Sequence, residues 1–112
     1  MKIDCSCRDI PEGLDNEVAL CMLRVVQEAL HNIAKHSRAT AVSLEMTASS
    51  QDIALSISDD GVGFDVNKIR GARGLGLVSM KERMHLIGGH FEIASSPESG
   101  TRIQARAPLG NH

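Results

Sequence analysis

The residues whose types and spacing could do chemistry are concentrated at positions 59–77, which read DDGVGFDVNKIRGARGLGL. This stretch opens with a DxGxG pattern at Asp59 and closes with a GxG pattern, and eight of the ten glycines lie between Gly61 and Gly100. Glycine weakens helices and strands alike, so such clustering indicates unusual backbone dihedrals or a close approach to another group. Glycine-rich turns point N–H groups at oxygen anions, which suggests a phosphate-bearing ligand. Each glycine alone is better explained as a turn, so the hypothesis depends on its surroundings.

A second candidate set lies on one stripe of a helix predicted from Asp15 or Asn16, either of which offers an N-cap, to about His36. Its apolar residues recur at helical spacing and should pack on a sheet: Val18, Met22, Val25, Val26, Ala29 and Ile33, joined by Leu23 and Leu30. A polar stripe contains Arg24, Glu28, Asn32, and Lys35 or His36. Such a stripe is usually a solvated face. Asn32 weakens that explanation, because asparagine is a mediocre helix former and stands in mid-helix.

Asp59 is the third candidate, because of the side of the sheet on which it should lie. Ile53, Leu55 and Ile57 mark the inward face of a strand, and Asp59 continues their parity toward the core. A carboxylate in that position needs hydrogen-bond donors, since an unpaired buried charge is strongly unfavourable. No arginine or lysine is adjacent in sequence, and a ligand amino group would serve.

The elements that must position these residues follow in the order strand, helix, two strands, helix, two strands. Period-two alternation predicts the strands at residues 2–7, 41–47, 53–58, 91–95 and 102–107. The second helix carries Leu77, Met80, Met84 and Ile87, begins at the GxG pattern, where its N-terminus is suited to an anion, and ends at Gly88. Because each strand has one apolar and one largely polar face, we expect a two-layer α/β sandwich with helices on one face of the sheet. Neither a GxxxxGK[ST] nor a complete GxGxxG motif is present.

Length and composition exclude several classes of function. A chain of 112 residues is long enough for one domain, residues 1–112, with a single core. The net charge of −2 argues against general binding to nucleic acid or to a membrane surface. No apolar run approaches the roughly 20 residues that span a bilayer, and no signal peptide is visible. We therefore expect a cytoplasmic domain that contacts neither nucleic acid nor membrane.

The three cysteines are interpreted as reduced and mostly buried thiols. Cys5 and Cys7 form a CxC pair, which in a strand places both thiols on one face, and Cys21 makes the count odd. A metal site is disfavoured because the pair lacks a second pair of ligands.

Four segments, taken together and in this order, resemble a known family. They are QEALHNIAKHS, DDGVGFD, GLGLVSMKERMHLIGG and SPESGT. They are similar to the N, G1 and G2 boxes and the terminal Gly-Thr of the histidine kinase ATP-binding domain, of the GHKL superfamily. The form RVVQEALHNIAKHS and a short lid resemble the subfamily of nitrate sensors and the desaturase-regulating membrane-fluidity sensor. The match runs from about Asp15 to Leu109 and implies the Bergerat-type ATP-binding fold, with a mixed, mostly antiparallel sheet.

The resemblance also implies ATP and Mg²⁺ as ligands. Asn32 matches the residue that holds the Mg²⁺ on the triphosphate, and Glu28 matches a carboxylate near that metal, so these two are the catalytic candidates. Asp59 matches the carboxylate that accepts from the adenine amino group, and Thr101 matches a hydroxyl that completes the adenine contacts. The other implied nucleotide contacts are Lys35, His36, Gly61, Gly63, Arg73, Gly74, Gly76 and Leu77. Residues 66–73 match a movable lid.

Histidine kinases transfer the γ-phosphoryl group to a histidine of a separate dimerisation domain. None of the five histidines here has that context, so the resemblance implies the catalytic module of a longer sensor kinase. Its partners would be the phosphoacceptor domain of the same parent and, indirectly, a response regulator. Two alternatives remain within the superfamily: an ATP hydrolase or anti-sigma-factor serine kinase with Glu28 as general base, and a nucleotide-binding module without chemistry.

Overall fold

The computed structural model describes residues 2–63, 71–96 and 100–109, and at residues 36–37 and 71–73 it describes the backbone alone. The elements are β1 (Lys2–Arg8), α1 (Asn16–Asn32), a π-helical turn (Ile33–Ser37), β2 (Ala41–Ala48), β3 (Asp52–Asp59), α2 (Gly71–Leu86), β4 (His90–Ser95) and β5 (Thr101–Pro108). The predicted strands are confirmed. Of the two N-cap candidates for α1, the structure uses Asp15. Its side chain accepts hydrogen bonds from the backbone N–H groups of Glu17 and Val18.

The five strands form one mixed sheet in the order β1-β2-β3-β5-β4. β1 pairs with β2 in parallel, and the other three pairings are antiparallel. The central strand β3 therefore lies between β2 and β5, although α2 and β4 separate it from β5 along the chain. This arrangement confirms the predicted mixed, mostly antiparallel sheet.

Both helices lie on one face of the sheet, as the one-sided alternation of the strands predicts. α1 packs against β3 and β5, α2 packs against β4 and β5, and the two helices pack against each other. The buried core combines one face of each helix with the inward residues of three strands: Val18, Met22, Val25, Ala29, Ile33, Val42, Leu44, Ile53, Leu55, Ile57, Leu77, Met80, Met84, Ile103, Ala105 and Ala107. The two-layer α/β sandwich is thus confirmed. Within the described part of the chain, no helix is long and apolar enough to cross a bilayer.

The end of the first helix differs from the prediction. Regular α-helix stops at Asn32, and a π-helical turn follows to Ser37, with Arg38 in the left-handed conformation at φ 55°. A π-helix holds more residues per turn than an α-helix, so Lys35 leaves the i, i+4 stripe on which the sequence places it. Leu23, expected to join the packed face, is 50% exposed because it lies on the side of α1 turned away from the sheet.

The start of the second helix is also earlier than predicted. α2 begins at Gly71, three residues before the GxG pattern, so Gly74 and Gly76 lie inside the helix. Helix propensity alone disfavours this, since each interior glycine costs about 1 kcal/mol relative to alanine. Packing outweighs that cost, because Leu77, Met80 and Met84 are all core residues on one face of α2.

The prediction of mostly buried thiols is wrong for the CxC pair. Cys5 and Cys7 are both exposed, and Cys21 is half-buried. Every residue of β1 is exposed, since β1 is an edge strand and neither helix packs against it. Desolvation of the Cys7 thiol, followed by the neighbouring Cys5 thiol, raises the pKa of Cys7.

Candidate nucleotide-binding site

The candidate residues meet at one end of the sheet because of its topology. β3 ends at Asp59, and its register partners there are Val42, near the start of β2, and Thr101, the first residue of β5. α1 ends at Asn32, and the π-helical turn leads from it to the start of β2 at Ala41. The ends of α1 and β3 and the starts of β2 and β5 therefore lie together.

Asp59 is half-buried on the core side of β3, where its parity predicts it. Its Oδ1 accepts a hydrogen bond of 2.8 Å from the N–H of Gly61, and its Oδ2 is buried. An ionised carboxylate only accepts hydrogen bonds. One hydrogen-bond donor for the Asp59 carboxylate is thus the Gly61 N–H of the glycine turn. This hydrogen bond fixes the direction in which the carboxylate points.

Two glycines allow the DxGxG turn to pack directly on the turn between β4 and β5. A Cβ atom on Gly63 would collide with the carbonyl oxygen of Ser96 and lie 2.5 Å from that of Gly100. Gly100 has φ +75°, and a Cβ there would collide with the carbonyl oxygen of Asp59. Both glycines are therefore required by close backbone approach, independently of any ligand. The contact between the two turns holds the end of β3 against the start of β5.

Thr101 faces Asp59 across the β3–β5 pairing, and its hydroxyl lies 2.8 Å from the hydroxyl of Ser95. The Ser95 hydroxyl also donates a 3.1 Å hydrogen bond to the carbonyl of Gly100. Because that hydrogen of Ser95 is used by Gly100, the Ser95 oxygen is left to accept from Thr101. This network orients the Thr101 side chain beside Asp59.

Glu28 and Asn32 are half-buried, one turn apart near the end of α1. A Cβ on Gly76 would collide with Oε1 of Glu28, which places the Glu28 carboxylate against the backbone of α2. Further along the helices, the Cys21 thiol lies 3.8 Å from the carbonyl of Arg83. These two contacts are seven residues apart on each helix, so α1 and α2 run antiparallel in a fixed register. That register puts Asn32 level with the first turn of α2.

The carboxylate of Asp60 has a structural role that the sequence analysis did not identify. It accepts hydrogen bonds from the Thr40 N–H at 2.9 Å, the Thr40 hydroxyl at 2.6 Å and the Ala41 N–H at 3.0 Å. The Thr40 hydroxyl and these backbone N–H groups hold the pKa of Asp60 below its ordinary value. Asp60 therefore ties the start of β2 to the end of β3. The sequence signal for this role is the doubled aspartate of DDG.

Four other predicted contacts are placed as follows. Lys35 is exposed on the π-helical turn, and Leu77 is a core residue, 9% exposed. Gly74 lies at the end of the first turn of α2, where N–H groups are not yet used by intrahelical hydrogen bonds, whereas Gly76 lies in the second turn. Their contacts with a nucleotide stay predictions.

The predicted lid falls largely outside the described residues. Positions 66–70, with Lys68 and Arg70, are outside the described ranges, and residues 71–73 form the first turn of α2. The side chains of His36 and Arg73 are likewise not described. Their predicted contacts with phosphate therefore remain untested.

Two depressions on the described surface differ in their relation to these residues. An open cleft of about 570 Å³ at the end of the sheet is lined in part by Asp59, Gly100 and Thr101. A depression of about 300 Å³ lies on the sheet face away from the helices and is lined in part by Glu45 and Arg106. Of these two depressions, the first contains the predicted site residues Asp59 and Thr101, whereas Glu28 and Asn32 do not line it, so it is the candidate site for the base of the nucleotide.

The chain is similar in sequence to known sensor proteins. The sensor protein VraS of Staphylococcus epidermidis is 38% identical over 101 residues, which cover 90% of this chain and 28% of that protein. VraS of Staphylococcus saprophyticus is 37% identical over 100 residues, covering 89% of this chain and 27% of that protein. The chain thus spans less than a third of the length of these relatives. Membership of the nitrate-sensor and membrane-fluidity-sensor subfamily stays a prediction.

Solved structures support the fold. The histidine kinase AdeS of Acinetobacter baumannii superimposes with a TM-score of 0.76 at 18% identity, over 98% of this chain and 55% of that chain. The histidine kinase domain of the blue-light activated kinase EL346 of Erythrobacter litoralis gives a TM-score of 0.69 at 18% identity, over 96% of this chain and 55% of that chain. The sequence profile described as histidine kinase-, DNA gyrase B- and HSP90-like ATPase matches residues 17–111. The chain therefore belongs to the family of histidine kinase-, DNA gyrase B- and HSP90-like ATPases.

Proposed function

We propose that this chain is the catalytic module of a sensor histidine kinase, residues 1–112 forming one ATP-binding domain. It binds ATP with Mg²⁺ in the cytoplasm and donates the γ-phosphoryl group to a histidine on a separate dimerisation domain, from which a response regulator is phosphorylated. The bond from the γ-phosphorus to the bridging oxygen breaks, a bond to the imidazole nitrogen forms, and ADP leaves. The proposal rests on family membership and on the geometry at the end of β3.

The observation that carries the proposal is the pairing of Asp59 with Thr101 at the mouth of the cleft. The Asp59 carboxylate is an acceptor fixed by the Gly61 N–H, and Thr101 adds a hydroxyl held by Ser95. The carboxylate suits the exocyclic amine of adenine, which donates hydrogen bonds, and the Thr101 oxygen, whose hydrogen goes to Ser95, adds a second acceptor beside it. A guanine would present a keto oxygen to the carboxylate, and the two oxygens repel each other.

The chain also offers groups for the metal that accompanies ATP. Asn32 is half-buried with a neutral amide oxygen, and Glu28 stands one turn before it with a carboxylate. Mg²⁺ takes oxygen ligands and keeps several waters, so one amide oxygen together with phosphates fits it. When bound, Mg²⁺ neutralises charge on the triphosphate. Asn32 would hold it there, and Glu28 would orient its waters.

The experiment measures transfer from γ-labelled ATP with the chain alone and with an added dimerisation domain of a sensor kinase. We expect Mg·ATP binding, slow hydrolysis, no labelling of this chain, and acid-labile label on the added domain. Phosphoryl transfer is mostly positioning and charge stabilisation, so an acceptor must be brought in line with the γ-phosphate. Asn32→Ala should abolish labelling and leave adenosine binding largely intact, while Glu82→Gln, on the exposed face of α2, serves as the control.

Other outcomes favour the alternatives. Fast phosphate release that needs Glu28 and no acceptor would identify a hydrolase, and acid-stable label on a serine would identify a serine kinase. ATP binding without turnover in either mixture would leave a binding module. Acid-labile phosphate on this chain alone would contradict the need for a separate acceptor.

A further inference from the structure

Cys5 and Cys7 form an exposed dithiol that the proposed nucleotide site does not use. They alternate with polar residues along β1, so both side chains lie on the same face of that strand. Both are exposed. Residues 17–111 match the family profile, so the pair lies outside the matched segment.

A third sulfur lies beside the pair on the neighbouring strand. Cys7 is the register partner of Met46 in the parallel pairing of β1 with β2. Register partners share a face of the sheet, and their strands are about 4.8 Å apart. Met46 is half-buried, and its thioether sits on a long flexible side chain that adapts to its neighbours. Three sulfur atoms can therefore converge at this open edge of the sheet.

The geometry of the strand favours a bridging ion over a disulfide. Alternate residues of a strand are about 6.6 Å apart, whereas a disulfide needs its Cβ atoms about 3.5–4.5 Å apart. A bond between Cys5 and Cys7 would therefore distort β1. Two sulfurs that each bind one ion at about 2.3 Å lie up to about 4.6 Å apart, which two parallel side chains can reach without moving the backbone.

We propose that Cys5, Cys7 and Met46 form a site for a soft monovalent cation, Cu(I), with three sulfur donors. Thiolate and thioether ligands favour Cu(I), zinc and Fe–S clusters, so the number of ligands decides between them. Structural zinc takes four ligands, and among the described residues no group of three or more His, Cys, Asp or Glu could hold a metal. The proposed site offers three ligands, one fewer than structural zinc takes, and therefore favours Cu(I) over zinc.

The test is an anaerobic titration of the reduced chain with Cu(I) against a chromogenic Cu(I) chelator, with X-ray absorption of the product. We expect one Cu(I) per chain and a first shell of three sulfurs at about 2.3 Å. Cys5→Ser and Cys7→Ser should each lower the affinity more than about 100-fold, and Met46→Leu, which conserves volume, should lower it about tenfold. Cys21→Ser is the matched control and should bind as the parent does, because Cys21 lies between the two helices.

Several results would overturn the proposal. One is a Cu(I) affinity of Cys5→Ser or Cys7→Ser equal to that of the parent. Another is a first coordination shell of Cu(I) that contains nitrogen or oxygen. A third is a Met46→Leu variant that binds Cu(I) as tightly as the parent does. Ag(I), which has no accessible redox step, should compete with Cu(I) and raise the melting temperature of the parent but not of Cys7→Ser. All variants should first show the parent's circular dichroism spectrum, which is expected because β1 is exposed throughout and Met46→Leu conserves volume.

Oxidation supplies an independent test of the steric argument. Oxidised glutathione would convert the two thiols to a disulfide and release two molecules of reduced glutathione, with the loss of two hydrogens from the chain. We expect the mass of the chain to remain that of the dithiol. Ready formation of a Cys5–Cys7 disulfide at an unchanged melting temperature would contradict the argument for a bridging ion.

Discussion

The Oε1 atom of Glu28 on α1 occupies the space that a Cβ atom on Gly76 of α2 would need. The carboxylate of one helix thus lies directly on the backbone of the other, one turn before Asn32. Any side chain at position 76 moves that carboxylate. Gly76 is therefore a positioning residue for Glu28, a role different from the direct nucleotide contact that the glycine pattern suggests.

Gly76→Ala should displace Glu28 while leaving the fold intact. The atom in the way is the end of a flexible side chain, and alanine improves helix propensity, so stability should change by less than about 1 kcal/mol. Transfer from ATP should fall as far as in Glu28→Ala, and the double variant should be no worse than either single variant. Ser79→Ala, exposed on α2, is the control. Multiplicative losses in the double variant would show that Gly76 acts independently of Glu28.

Gly100→Ala should destabilise the chain far more than Gly13→Ala, although both glycines have nearly the same positive φ. A Cβ on Gly13 meets nothing within 4 Å. Gly13→Ala should therefore lose only about 1 kcal/mol of stability, which is the cost of a left-handed backbone for a residue with a Cβ. At Gly100 the added collision is with the carbonyl of Asp59, and the expected loss is about 2–4 kcal/mol. Urea denaturation measures both, and equal losses would contradict the packing of the two turns.

Asp59→Asn should weaken ATP binding about 30- to 150-fold, because a hydrogen bond to a charged group contributes about 2–3 kcal/mol. The parent chain should bind ATP and ADP well and GTP poorly. Calorimetric titration with each nucleotide measures this preference. Asp52→Asn, at the opposite end of β3, is the matched control, and equal affinity of the parent for ATP and GTP would remove Asp59 from the adenine site.

The carboxylate of Asp60 should make stability depend on acid. Its pKa is lowered in the folded chain, so its contribution is complete above the ordinary aspartate pKa of about 4 and is lost as the pH falls through the folded value. The stability difference between the parent and Asp60→Asn should therefore shrink in acid. Melting temperatures of both from pH 7 to pH 2.5 measure it. A difference that stays constant over this range would show that Asp60 holds β2 by other means.

The strands and the start of α1 were predictable because alternation and capping are local signals. Ile53, Leu55 and Ile57 alternate with small polar residues, and Asp15 stands directly before the helix it caps. The same alternation predicted the inward side of Asp59. Each of these features depends only on residues close together in the chain.

Features that depend on distant partners were not predictable. Alternation places Cys5 and Cys7 on one face of β1 but does not tell whether a helix covers that face, and none does. The length of α2 depends on packing that overrides its glycines. The hydrogen bonds from Thr40 to Asp60 form only when β2 pairs with β3.

The sheet order has a consequence for the way this chain folds. β3 is central, yet α2 and β4 separate it along the chain from its partner β5, so β3 presents an unpaired edge until β5 has been synthesised. Pairing of such distant segments is slow and leaves apolar strands exposed to aggregation. Because Thr101 belongs to β5 and Asp59 to β3, the two halves of the proposed adenine site meet only when these strands pair. Nucleotide binding should therefore detect chains in which β3 and β5 have paired.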